Sequence, residues 1–178
     1  MFFNQHKSIP MNQNIIVVLF DVPSEAYQAF SELKTYTQTV DTLIAQAVLI
    51  KKENSLVLPV ESANFTANTA EGAWTGGIIG SLVGILGGPI GILLGGTAGA
   101  LIGGDAGTDE TIGETLLLEN TARKLDDGST AIVILAQESD EAVLDAFFNR
   151  FKSVILRQDA AVAQQDVLAA LEAQQEIA

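Results

Sequence analysis

GAWTGGIIGSLVGILGGPIGILLGGTAGALIGG, residues 72–104, runs for thirty-three residues without a charge, and its glycines recur at every fourth position. Gly76, Gly80, Gly84 and Gly88 form one ladder; Gly87, Gly91, Gly95, Gly99, Gly103 and Gly107 form a second. A four-residue spacing gathers glycines on one helical face, where the missing side chain lets another backbone come close. Between the glycines stand Ile, Leu, Val and Ala, so this is no flexible Gly/Ser linker. Nine glycines inside helices would cost roughly 9 kcal/mol relative to alanine, as much as the net stability of an ordinary domain. Such a stretch is sustainable only where its glycine face is packed or its helix lies in lipid.

Pro89, following Gly87-Gly88, breaks the run at its centre, because proline cannot continue a helix already weakened by two glycines. The expectation is a helical hairpin over 72–104, with arms near 73–86 and 90–103 and its turn at Gly87, Gly88 and Pro89. Each arm would be about 21 Å long, short of a bilayer core of about 30 Å.

Working outward, residues 14–20 (NIIVVLF) are a continuous apolar run, the pattern of a strand buried on both faces. Asp21-Val22-Pro23-Ser24 predicts a helix start with Ser or Asp as cap, and Ala26, Phe30 and Leu33 share one face of that helix. Strands are expected over 43–51 and 56–60 around a turn at Glu53-Asn54, followed by a polar stretch over 61–71. Beyond the hairpin, Thr111 and Glu114 form a capping-box pattern for a helix to about 125. A strand over 130–136, a helix carrying Val143, Leu144, Phe147 and Phe148, and a strand over 153–156 complete the body. The tail, 159–178, is Ala- and Gln-rich, with Ala163, Val167, Ala170 and Leu171 on one face of an amphipathic helix. The expected fold is one α+β domain over 1–178: a ferredoxin-like βαβ-βαβ sheet interrupted by a glycine-zipper hairpin, with a C-terminal helix. The two halves must share one sheet, so the insertion has to return the chain to the side it left.

The strand NIIVVLFD, the segment GGIIGSLVGILGGPIGILLGGTAGALIGG, the helix GETLLLE and the strand GSTAIVIL together resemble the DUF1269 family of bacterial proteins of unknown function. The resemblance covers roughly 12–158 and leaves the tail outside it. It implies no activity, cofactor or catalytic residue, and it carries the membrane label that such glycine-rich segments attract.

Chemistry is excluded on several counts. The chain has no cysteine, and its one histidine, His6, lies in the N-terminal arm, so thiolate chemistry, histidine triads and two-histidine metal sites are ruled out. No two glycines between Gly72 and Gly107 are two positions apart and no lysine is near, which removes the dinucleotide loop and the P-loop. Net charge is −13, with no Lys or Arg between Lys52 and Arg123, so nucleic acid is not an expected partner. Asp105, Asp109, Glu110 and Glu114 could be offered as oxygen ligands for a divalent cation. We read them instead as a solvated helix start favoured by the helix dipole, with no metal and no cofactor. Ser81, Thr75 and Thr97 supply small hydroxyls within the glycine segment, and Trp74 stands at its edge, suited to a membrane interface or a subunit contact.

The functional expectation is a non-enzymatic protein that self-associates through Gly76, Gly80, Gly84, Gly91, Gly95, Gly99 and Gly103. We place it at the cytoplasmic membrane with the α/β domain in the cytoplasm, because a long uncharged segment ordinarily meets lipid. Anionic flanks and short arms count against that placement. The alternatives are a soluble cytoplasmic homo-oligomer (ring, shell or filament) with hairpins packed inside it, and a ligand-sensing ferredoxin-like regulatory domain. In the first two cases the protein's partner is itself, and Leu82, Leu86, Leu93 and Leu101 should face outward.

Overall fold

The computed structural model describes residues 12–65, 72–88 and 117–177. Their order is β1 (Asn12–Phe20), α1 (Pro23–Lys34), β2 (Thr42–Glu53), β3 (Leu56–Asn64), α2 (Gly72–Gly87), α3 (Leu117–Lys124), β4 (Thr130–Glu138), α4 (Ala142–Phe148), β5 (Ser153–Asp159) and α5 (Ala160–Ile177). The fold is α+β, with one five-stranded antiparallel sheet in the order β3-β2-β4-β1-β5. This is not the βαβ-βαβ order expected from the sequence, because β3 extends the sheet as an extra strand at its edge. The extension originates in the turn. Asn54 and Ser55 both take left-handed backbone (φ 53° and 66°), which folds a two-residue hairpin whose twist matches its strands. The strands before and after the glycine segment do share one sheet.

Helices cover both faces. On one, Ala26, Ala29, Phe30 and Leu33 of α1 and Leu144 and Phe148 of α4 pack on Ile16, Val18, Phe20, Ile132 and Ile134. On the other, α2, α3 and α5 pack on Ile15, Val17, Leu19, Val133 and Leu135. Alternation sends successive residues of β1 to opposite faces, and since both are covered, an uninterrupted apolar strand is what the central position requires.

Several boundaries differ from expectation. α1 is not capped by Ser or Asp: its N-cap is Val22, with no side-chain bond, and the start is set by proline in the first turn. β3 and β5 run past the expected ends because edge strands tolerate polar residues. The segment read as polar from Glu61 is strand as far as Asn64, and β5 continues through Arg157 to Asp159. Asp159 then caps α5, its Oδ1 accepting from the Ala161 and Val162 amides at 2.9 and 3.3 Å. Ala163, Val167 and Ala170 are buried as expected, while Leu171 is left exposed. The capping box at Thr111 and Glu114, the second arm over 90–103 and Pro89 lie outside the described residues, so the hairpin is represented here by α2 alone.

Candidate interaction face around the glycine helix

α2 has two chemically separate sides. Ile78, Ile79, Leu82, Val83, Ile85 and Leu86 are buried against the sheet and neighbouring helices. Burying six such side chains contributes roughly 9–18 kcal/mol, an upper estimate. Gly76, Gly77, Gly80 and Gly84 in the helix interior cost about 4 kcal/mol, so packing of the opposite side holds this helix in place. The expected orientation is therefore reversed for Leu82 and Leu86: both point into the core. The physical reason is that the sheet, with its pleated rows of side chains, accepts branched aliphatics better than a bare backbone.

The outward side carries Gly77, Gly80 and Gly84, all exposed, with half-buried Ser81 beside them. Among the described residues, a Cβ placed on any of those three glycines would meet nothing within 4 Å. Gly87 differs: a Cβ there would stand 2.8 Å from the Val57 carbonyl oxygen, so glycine is required for the close approach of α2 to β3. Gly88 donates its backbone N–H to the Ile85 carbonyl at 3.1 Å. Gly76 belongs to α2, and Gly91, Gly95, Gly99 and Gly103 lie outside the described residues, as do His6, Asp105, Asp109, Glu110 and Glu114.

A hollow lies on either flank of the glycine stripe. Between α2 and the β2–β3 hairpin is a cleft of about 480 Å³, lined by Val48, Val57, Ile79 and Val83 among others, with Gln46 and Ser62 as its polar side chains. Between α2 and α5 is a groove of about 260 Å³ that includes Gly77, Ser81, Leu168 and Leu171. Among the described residues, no ionisable side chain lines either one.

Charges are gathered elsewhere. Arg157 makes a two-pronged contact with buried Glu138 (Nε to Oε2 3.0 Å, Nη2 to Oε1 3.1 Å) and reaches Asp145 at 2.8 Å and Glu141 at 3.4 Å. Asn14 completes the site by donating to Glu138 at 2.9 Å. Burial works to lower the Arg157 pKa, but the hydrogen bonds to Asp145 and Glu138 outweigh it and hold the guanidinium above its usual range. These bonds tie β1, β4, β5 and α4 together. At the surface, hydrogen bonds from Gln28 and then Arg150 lower the pKa of Glu32. A separate hollow at the end of β1 holds Asp21, Asp126, Asp127 and Lys124, of which Asp127 is occupied by the Ser55 amide at 2.8 Å. Among the described residues no group of three or more acidic or histidine side chains is placed to hold a metal ion.

The Arg157 cluster and Gln46 escaped the sequence reading. Both sit in strands, where a single polar residue looks solvated until the neighbouring elements are placed.

The family model described as a protein of unknown function, DUF1269, matches residues 73–172. That span begins at α2, takes in most of α5, which the sequence resemblance had left out, and does not include β1–β3. No curated protein and no solved structure matches the chain.

Proposed function

We propose, for a chain that belongs to the DUF1269 family, a non-enzymatic role as a self-associating protein in which a second copy docks on the outward side of α2. The observation carrying this reading is the bare stripe of Gly77, Gly80 and Gly84, uncovered by any described residue and bordered by two hollows that no described ionisable side chain lines. On a chain of net charge −13, two copies repel each other across most of their surfaces. An uncharged strip is where they can meet with least repulsion, and glycine lets the backbones approach closely. Leu168 and Leu171 on α5 are exposed beside it and would be covered in the same contact. We further read the sheet as a ferredoxin-like core with an added edge, supported by the order β5-β1-β4-β2 that remains once β3 is set aside.

Membrane attachment is the second reading, favoured by the uncharged residues that continue from Gly88 to Gly104. α2 itself is sixteen residues, about 24 Å, and six of its side chains are committed to the sheet. No described helix is long and apolar enough to cross a membrane. We therefore place the docking partner of α2 in the protein phase.

The test is sizing of the full chain over a concentration series, alongside carbonate fractionation, for the native sequence and for Gly80→Leu with Gly84→Leu. The expected outcome is a species larger than the 18.8 kDa monomer that the double variant returns to monomer with its helix and strand content intact. A chain that stays monomeric throughout sinks self-association. Carbonate-resistant retention unaffected by the variants transfers the reading to lipid.

A further inference from the structure

The cleft between α2 and the β2–β3 hairpin is shaped by its glycines. At Gly87 the helix touches the Val57 backbone, whereas at Gly84 and Gly80 a Cβ would find nothing within 4 Å among the described residues. The two elements therefore meet at one end and part along their length, leaving about 480 Å³, well within the range of roughly 300–1,000 Å³ typical of small-molecule sites. The hairpin register sorts the lining. Val57 pairs with Lys52 near the turn, while Ser62 pairs with Val48 and Asn64 with Gln46 at the far end. The closed end is thus apolar, with Val57 and Val83, and the open end carries the two polar side chains. Gln46 Oε1 is buried there, and among the described residues no donor reaches it. A buried acceptor left unmet is unfavourable, and a ligand that supplies a donor gains by meeting it.

We propose that this cleft binds an uncharged aliphatic molecule with one hydrogen-bond donor at its end, such as a medium-chain primary alcohol. Its chain lies toward Val57 and Val83, and its hydroxyl donates to Gln46 Oε1. A charged head group is disfavoured, because among the described residues no ionisable side chain lines the cleft to pair with it. A carboxylate fails twice, being charged and lacking a donor. The cleft shares Gly80 and Gly84 with the docking stripe, but its polar contact comes from β2, so Gln46→Leu tests ligand binding without altering the stripe.

The experiment titrates 1-decanol into the full chain and follows backbone amide shifts by NMR, with decanoate at pH 8 as the comparison. Two variants accompany it: Gln46→Leu, which removes the acceptor, and Ser62→Phe, which fills the cleft from an exposed strand position. Saturable shifts clustered at Val57, Val83 and Gly84 are expected. Binding should weaken about tenfold in Gln46→Leu, be lost in Ser62→Phe, and be at least about tenfold weaker for decanoate. Absence of saturation, equal affinity for decanoate, or binding indifferent to both substitutions overturns the assignment.

Discussion

On the α1/α4 face of the sheet, phenylalanine rings join the aliphatic filling. Phe20 packs edge-on to Phe148 and Phe151 at 6.4 and 6.2 Å, and Phe147 to Phe148 at 4.8 Å. Outward from that layer stand charges: Glu32 pairs with Arg150, whose guanidinium lies 4.6 Å from the Phe147 ring, and Lys34 pairs with Glu61. On the α2/α3/α5 face the filling is branched aliphatic and alanine, and the outward side of α2 has nothing larger than a serine hydroxymethyl among Gly77, Gly80, Ser81 and Gly84. The two faces are finished differently. The aromatic face ends in an exposed, ion-paired surface. The glycine face ends, among the described residues, in exposed backbone and hollows lined without a charge.

The largest expected effects come from the cores on the two faces of the sheet. Phe148→Ala should lower stability by about 3–5 kcal/mol and Leu82→Ala by about 2–5 kcal/mol, since both side chains are fully buried. Urea unfolding followed by circular dichroism measures both. Comparable losses with a single transition mean the glycine helix is part of one cooperative unit. A Leu82→Ala loss below about 0.5 kcal/mol, the size of an ordinary surface change, would show that α2 is only loosely laid on the sheet.

Sequence patterns reach some of this arrangement and stop short of the rest. The central strands are legible because residues 15–20 and 131–136 are apolar without interruption, which only a doubly covered strand requires. The helix at 72–87 is legible from its glycine period, to within a residue of its ends. Its orientation is not: a helix with a glycine stripe and an aliphatic stripe can turn either inward, and the sheet decides by offering a pleated apolar surface. Strand lengths at the edges mislead for a related reason. Glu61 and Ser62 look like loop residues, yet on an edge strand they face water while the backbone stays paired. The buried Glu138–Arg157 pair is invisible for a third reason, since its burial comes from α4 closing over the ends of β4 and β5.

Gly87 sharpens the comparison by marking where the glycine face is closed. Alanine there places a Cβ 2.8 Å from the Val57 carbonyl oxygen and 3.3 Å from its amide nitrogen. Both are backbone atoms, so relief requires α2 to move away from β3. Overpacking of this kind costs about 1–3 kcal/mol, against about 1 kcal/mol of gained helix propensity. The expected net result for Gly87→Ala is a lower urea midpoint, together with a wider separation of α2 from Val57 in a structure of the variant. An unchanged midpoint and an unmoved helix would mean that this contact is not what fixes the site to glycine.

Gly84, one turn earlier, should respond with the opposite sign. A Cβ at Gly84 or Gly80 meets no atom of the described residues within 4 Å, so alanine adds no strain against them. It removes the conformational freedom that glycine keeps in the unfolded chain, which stabilises a helix by about 1 kcal/mol per site. Gly80→Ala and Gly84→Ala should each raise the urea midpoint when measured at dilutions where the chain is monomeric. The same gain should shrink or reverse at concentrations where copies associate, because a methyl group on the stripe then meets a partner's backbone. A gain constant with concentration would mean that glycine stands at these positions for no reason the docking surface supplies. A loss even in the monomer would mean that the stripe is already covered within the chain. The sign and its concentration dependence together decide whether the open glycine face is a surface waiting for a second copy.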